Sequence, residues 1–370
     1  MIPTQATPTR LFEPLRIGRY VLPHRIVMAP LTRCRVDEPN IPNRVMTDYY
    51  AQRSGAALII SEATAISEGA QGYWRTPGIY SLRQIMGWEA IAQGVHAGGA
   101  RMFVQLWHNG RVFHPDNVPW RGRSVAPSAI APGIQMMTPH GRQPPPTPEA
   151  LTVSEIKGIV ADFALAARNA ILAGMDGVEL HAANGYIFEQ FLNRSSNQRS
   201  DEYGGSIENR GRLLTEVVEA VATAIGPDRI GVRISPFGVL NGVSDPKPQE
   251  IYEHVLQILD RYDLAYLHII RPAVSGNQDS PDGLAMRDPV LDVRRHFRGP
   301  TIVAGGVDVA GADALVEAGL ADAIAFGRWF VSNPDLPDRL RRGLPLAPFD
   351  RETFYTQGRE GYVDYPAAIA

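Results

Sequence analysis

The chain has 370 residues, 44% hydrophobic and 20% charged, the balance of a globular protein with a sizeable core. Lys and Arg number 36 against 39 Asp and Glu, and the net charge of −3 excludes bulk attraction to nucleic acid or to an anionic membrane surface. A single cysteine, Cys34, excludes an internal disulfide, a cysteine-based zinc site and an iron–sulfur cluster, and no metal site is expected. The first ten residues lack the apolar core of a secretory signal, and the early apolar patch Ala56 to Ile60 is too short to span a bilayer. The expectation is a soluble, cytoplasmic protein that binds neither nucleic acid nor membrane, as a monomer or a homodimer. The length fits two average domains or one barrel of about 250 residues with insertions.

Residues 1 to 25 carry four prolines and read as a loop with short strands, an N-terminal capping hairpin. Ile26 to Ala29 is the first buried strand, and Thr47 to Gln52 a short helix. Ala57 to Ile60 is the second strand. Ser81 to Ala97 has apolar residues at helical spacing and stops at Gly98-Gly99. Met102 to Leu106 is the third strand. From Asn109 to Ala150 the composition turns to Pro, Gly and Arg, which predicts a lid-like excursion from the barrel, a small hairpin or a lid. Its arginines, Arg111, Arg121, Arg123 and Arg142, read as a solvated surface rather than as contacts to an anionic cofactor.

Thr152 and Glu155 make a capping box, and the helix they open runs through Ala173 to Gly174. Val178 and Leu180 then alternate with polar neighbours in a fourth strand. The polar run Asn193 to Arg212 reads as a hydrogen-bonded scaffold, with the next helix marked by Leu213 to Val221. Ile230 to Ile234 is the fifth strand, with Arg233 inside it. A helix around Ile251 to Leu259 precedes the sixth strand, Tyr266 to Ile270. After a Gly/Pro-rich loop at 271–288 come a short helix, the strand Thr301 to Val303, a helix at Val309 to Ala318 and the last strand, Ala323 to Phe326. Eight strands, mostly followed by helical segments, predict parallel pairing. No G-x-G-x-x-G follows the first strand, so the expected fold is an α/β (β/α)8 TIM barrel over residues 1–370 rather than a doubly wound sheet.

In such a barrel the strand ends share one mouth. The polar residues collected there are Thr32, Glu62 to Thr64, Gln105, Trp107, His181, Asn184, Tyr186 and Arg233. His181 and Asn184 can each donate a hydrogen bond to an oxygen on which negative charge builds, and Tyr186 can give a proton to a carbanion. Taken singly, each has an ordinary structural explanation, as a loop former or a core phenol. Ala304-Gly305-Gly306 and Phe326-Gly327-Arg328 follow strands seven and eight, the recurrent place for a phosphate. An arginine inside a strand needs a partner, either a carboxylate or the polar edge of a cofactor.

The chain resembles the Old Yellow Enzyme family of flavin oxidoreductases over nearly its whole length. The resemblance is carried by M-A-P-L-T-R (28–33), S-E-A-T (61–64), Q-L-W-H-N-G-R (105–111), H-A-A-N-G-Y (181–186) and the run 190–210. F-G-R-W-F-V-S-N-P-D-L (326–336) and F-Y-T-Q-G-R-E-G-Y-V-D-Y-P (354–366) complete it. It implies FMN in the barrel mouth, with Pro30, Thr32, Ala63, Gln105 and Arg233 at the isoalloxazine. Gly305, Gly306, Gly327 and Arg328 would take the phosphate. His181 and Asn184 match the substrate-carbonyl donors, Tyr186 the proton donor, and Trp107 and Tyr355 the pocket wall. The implied activity is ping-pong reduction of an activated alkene, α,β-unsaturated carbonyl or nitro, by NADPH or NADH. The alternatives are a nitroester or quinone reductase on the same flavin, and a non-catalytic barrel for a flavin or another phosphate ligand.

Two features depart from one branch or another of the family. A cysteine found elsewhere at the position of Thr32 stands here two residues on, which makes Cys34 a buried structural thiol by expectation. The donor pair is His/Asn rather than His/His, which keeps two donors.

Overall fold

The computed structural model describes residues 10–118, 122–276, 278–284 and 286–368, so Arg121 lies outside it. Eight parallel strands follow one another around a closed barrel. They are β1 (Ile26–Met28), β2 (Leu58–Ile60), β3 (Arg101–Trp107), β4 (Gly177–Ala182), β5 (Ile230–Ile234), β6 (Tyr266–Ile270), β7 (Thr301–Ala304) and β8 (Ala323–Phe326). The β8–β1 pairing, with Phe326 opposite Met28, closes the ring. The expected barrel is therefore the observed one, and several strand bounds coincide with the apolar runs of the sequence.

Both faces of each strand are buried, yet the two faces meet different neighbours. Val27, Leu58, Ile60, Phe103, Tyr266, Ile302 and Ala323 point into the barrel, where they form one core with Ile17 and Leu22 of the N-terminal segment. Met28, Ile59, Met102, Val104, Val178, Leu180, Val232, Leu267, Val303 and Ile324 face the helices in a second, larger core. This is the strand period of two expressed inside a closed sheet. Phe103 and Tyr266 meet across the interior with ring centroids 5.5 Å apart. Gly231 makes that possible, because a Cβ there would lie 2.2 Å from the Tyr266 ring. The expected capping hairpin is present as Leu15–Ile17 paired antiparallel with Tyr20–Leu22.

The outer helices are set by their caps. Helix α1 (Arg44–Ala51) starts three residues before the expected Thr47, because the Asn43 side chain accepts from Met46 N. Capping boxes open α2 (Leu82–Ala97) at Ser81 and Gln84, and α3 (Val153–Leu172) at Thr152 and Glu155. After β4 comes the short α4 (Ile187–Leu192). Next, α5 (Ile207–Ile225) begins inside the polar run, where Ser206 caps Asn209 N. The rest of that run is the hydrogen-bonded scaffold expected: Asn197 Nδ2 donates to Phe191 O and Tyr203 O, and Arg210 pairs with Asp245 at 2.9 Å in the interior.

The excursion after β3 contains a hairpin, Met136–Thr138 with Gly141–Gln143, one of the two forms expected for it. Arg123 pairs with Glu149 and Glu155 on the surface, and Arg142 is exposed. Arg111 is a correction to the solvated reading. It is buried, and its guanidinium donates to Ile130 O at 3.1 Å and Gly242 O at 2.8 Å. Arg111 thus ties the excursion to the loop after β5, satisfying carbonyls that no regular element reaches. No helix among the described residues is long and apolar enough to cross a membrane.

Candidate active site

The inward positions change character along the strands. Near the C-terminal end of the barrel they become Gln105, Glu179, His181, Arg233 and His268. Registry puts Gln105 beside Glu179, His181 beside Arg233, and Arg233 beside His268. Gln105 Nε2 donates to Glu179 Oε1 at 2.7 Å, and His268 Nδ1 reaches Glu179 Oε2 at 2.9 Å with both side chains wholly buried. Desolvation pushes the Glu179 carboxyl up, but His268, Arg233 and Gln105 outweigh it and hold the group below its usual range. Burial holds His268 below its usual range against the pull of the Glu179 carboxylate.

Arg233 sits above this buried charge. Its guanidinium makes no hydrogen bond among the described residues, and its Nε is a buried orphan, as are His181 Nδ1 and Trp107 Nε1. Native proteins rarely leave buried donors unpaired, so a polar partner belongs in the mouth. Burial and the neighbouring Arg233 keep His181 well below its usual value, leaving a neutral imidazole there.

Beyond β4 the chain turns at Asn184 and Gly185, both left-handed with φ of 60° and 74°. Asn184 N donates to Ser235 Oγ at 2.8 Å, and Asn184 O accepts from Asn241 Nδ2 at 2.8 Å. The backbone is held from both sides, and the Asn184 carboxamide makes no hydrogen bond among the described residues. Tyr186 follows as the N-cap residue of α4, and its side chain makes no capping bond.

Tyr186 belongs to an aromatic group that closes one side of the mouth. Its ring stands edge-on to Trp107 at 4.8 Å and to His181 at 5.0 Å. Tyr73, absent from the residues expected at the mouth, stacks on Trp107 at 5.4 Å and sets its hydroxyl 3.4 Å from that of Tyr186. Burial pushes the Tyr186 phenol well above 10 and the Tyr73 phenol up to about 12. Both carry their protons at neutral pH. Tyr355, half exposed, comes from the C-terminal segment and lies close enough to raise both phenols further.

That segment is anchored by two arginines of the loop after β1. Arg33 donates to Phe354 O at 3.0 Å and Gly361 O at 2.6 Å. Arg35 donates to Thr353 O, Phe354 O, Gly358 O and Glu360 O. Pro30 and Ala63 are buried at the starts of their loops, with Thr32 partly exposed between them. Glu62 lies beneath, fully buried, its carboxyl accepting from Tyr50 OH at 3.3 Å. Cys34 departs from expectation: it is partly exposed rather than buried, with φ of 56°, and desolvation with the nearby Glu62 carboxylate pushes its thiol up to about 12.

Across the mouth, three and four strands round from β4, lie the glycines after β7 and β8. Gly305 and Gly306 have φ of 100° and 66°, and a Cβ on either would lie 2.8 Å from the loop after β6, at Arg271 O and Ala273. The backbone there stays bare and can approach an anion closely. Arg328 opens the helix α6 (Arg328–Ser332) and lies over Phe349 at 5.4 Å. Its guanidinium is paired with Asp279, Nη1 to Oδ2 at 3.0 Å, and Arg351 shares that carboxylate. The expected residues therefore fall into two sets on opposite sides of one mouth, donors and phenol on one and glycines with Arg328 on the other.

Of the missed residues, one carried a positional signal and one did not. Glu179 is the inward neighbour of His181 by strand alternation, and Tyr73 lies in a short aromatic pair, Tyr73-Trp74, that has no periodic pattern.

The sequence model of the NADH:flavin oxidoreductase / NADH oxidase family matches residues 10–347. A probable flavin mononucleotide-dependent alkene reductase of Leishmania infantum is 42% identical over 361 residues, 96% of this chain and 97% of that protein. Among solved structures, the old yellow enzyme homologue from Zymomonas mobilis superposes with a TM-score of 0.93 at 41% identity, over 97% of this chain and 100% of its own. Morphinone reductase in complex with tetrahydroNAD gives 0.90 at 44% identity, over 98% of each chain. With the barrel, its orphaned donors and these likenesses together, the chain belongs to the NADH:flavin oxidoreductase / NADH oxidase family and is a homologue of the Old Yellow Enzymes.

Proposed function

We propose that the protein is an FMN-dependent ene-reductase, taking reducing equivalents from NADPH or NADH and reducing the C=C bond of an α,β-unsaturated carbonyl or nitro compound. The observation that carries the reading is the pair of unengaged donors, neutral His181 and the Asn184 carboxamide, beside a protonated Tyr186. The fit for FMN rests on the unpartnered Arg233 and on the bare backbone at Gly305 and Gly306. Pro30, Thr32, Ala63, Gln105 and Arg233 would hold the ring. Gly305, Gly306, Gly327 and Arg328 would hold the phosphate, where Arg328 exchanges or shares its Asp279 contact.

The chemistry FMN supplies when bound is hydride transfer, from the nicotinamide and then to the β-carbon of the alkene. His181 and Asn184 donate to the substrate oxygen, which gains charge as the alkene is reduced; each such donor is worth on the order of a hundredfold in rate. Trp107 and Tyr355 wall the substrate in and exclude water. Tyr186 gives its phenolic proton to the α-carbon, and the Tyr73 hydroxyl beside it can donate to the phenolate left behind. A charged His181 would bind the oxygen more tightly, but burial next to Arg233 forbids it, so the pair works as neutral donors. We place the enzyme in the cytoplasm, where the NAD(P)H pool and a reducing environment suit it.

Purified protein should be yellow and release FMN on denaturation. It should consume NADPH with 2-cyclohexenone and not with cyclohexanone. Turnover with quinones or nitroesters alone would select the alternative reductase, and a colourless protein that FMN cannot reconstitute would refute both.

A further inference from the structure

Underneath the turn that carries Asn184 lies a carboxylate with no part in the chemistry above. Glu189 is buried in α4, 1% exposed. It accepts from Gly185 N with Oε2. Its Oε1 accepts from Ser235 Oγ at 2.7 Å and from Tyr252 OH at 2.5 Å. Ser235 Oγ in turn accepts from Asn184 N at 2.8 Å. One carboxylate thus reaches both residues of the turn, Gly185 directly and Asn184 through a hydroxyl.

The turn needs holding. Asn184 sits in the left-handed region, which costs a side-chain-bearing residue local energy, and Gly185 is pressed so closely against the loop after β5 that a Cβ would lie 2.2 Å from Leu240 O. The Asn184 and Gly185 amides would otherwise be buried donors with no strand partner. Burial pushes the Glu189 carboxyl up to about 7, and the three donors hold it from rising further. Such a site is costly to build for packing alone, since an apolar residue would fill the space without desolvating a carboxyl.

We propose that Glu189, acting through Ser235, is the positioning residue for the Asn184 donor, fixing the turn so that the carboxamide faces the substrate oxygen. The inference rests on the reading that Asn184 binds that oxygen. It predicts that the benefit of Ser235 and Glu189 is delivered through Asn184 and disappears when Asn184 is gone.

The probe is 4-hydroxybenzaldehyde, whose phenolate oxygen imitates the charged substrate oxygen, titrated against the FMN-loaded enzyme by flavin absorbance. Asn184→Ala should weaken binding about tenfold, the loss of one hydrogen bond to a charged group. Ser235→Ala and Glu189→Gln should each weaken it severalfold, with FMN affinity unchanged. Adding Ser235→Ala to Asn184→Ala should weaken it no further. Equal losses from Ser235→Ala with and without Asn184 would show a general structural effect and overturn the proposal. Parent-like affinity in both Ser235→Ala and Glu189→Gln, with Asn184→Ala weakened, would overturn it while leaving the substrate site intact. Unchanged affinity in Asn184→Ala would instead refute the substrate-oxygen reading and the proposal with it. Ser235→Ala removes only a hydroxyl, so the test stands even if a Glu189 variant fails to fold.

Discussion

Replacing Glu62 with Gln should change how stability depends on pH, by an amount the structure sets. Glu62 is fully buried beneath the loops of the mouth, and desolvation raises its carboxyl from 4.5 to about 7 despite Arg33 N, the Arg33 guanidinium, Tyr50 OH and Arg35. Between those two values the unfolded chain has released a proton that the folded chain keeps. The folded state is therefore favoured fully below the unfolded value and loses that advantage as pH rises through about 7. At 1.36 kcal/mol per pH unit the loss is about 3 kcal/mol. Gln does not titrate, so the variant escapes the loss. The whole pH curve is not diagnostic, because Glu189 acts in the same direction while buried His108, held at about 4, acts against it as pH falls. The comparison of parent and variant is diagnostic. Urea unfolding with saturating FMN at about pH 5 and about pH 8 should show Glu62→Gln gaining about 2.5 kcal/mol over the parent between the two. Parallel curves, within about 1 kcal/mol, would refute the idea that burial raises the Glu62 carboxyl to about 7.

Arg233→Met should weaken FMN binding by about tenfold to a hundredfold, since the orphaned guanidinium is the ring's proposed partner; flavin fluorescence titration of the apoprotein reads it, and an unchanged affinity would place the ring elsewhere. Arg33→Met should cost about 2–4 kcal/mol by stranding Phe354 O and Gly361 O, and should speed proteolytic cleavage within 353–363; a cleavage rate like the parent's would mean the segment is held by other contacts.

The barrel was legible because each strand is a short apolar run and the mouth residues interrupt those runs in register. Ile230 to Ile234 and Tyr266 to Ile270 were readable to the residue, as their neighbours are turns and polar loops. Helix starts were less so, because Asn43 and Ser206 cap before any apolar stripe begins. The donors and the phenol were visible as His181, Asn184 and Tyr186 within six positions. What supports them was not. Glu179 and Glu189 are single acidic letters whose burial depends on partners 74 and 46 positions away, Gln105 and Ser235. Arg111 looked like a surface residue for the same reason: its acceptors are carbonyls, and a carbonyl leaves no mark in a sequence. Asp279 beside Arg328 belongs to a loop with no pattern to place it.

The most direct test of the account tracks Tyr186→Phe through the two half-reactions separately, by rapid mixing without oxygen. Flavin reduction by NADPH should stay within about twofold of the parent, and reoxidation by an enone should slow by about a hundredfold or more. Equal slowing of both steps, or reoxidation at the parent's rate, would remove this phenol as the source of the proton.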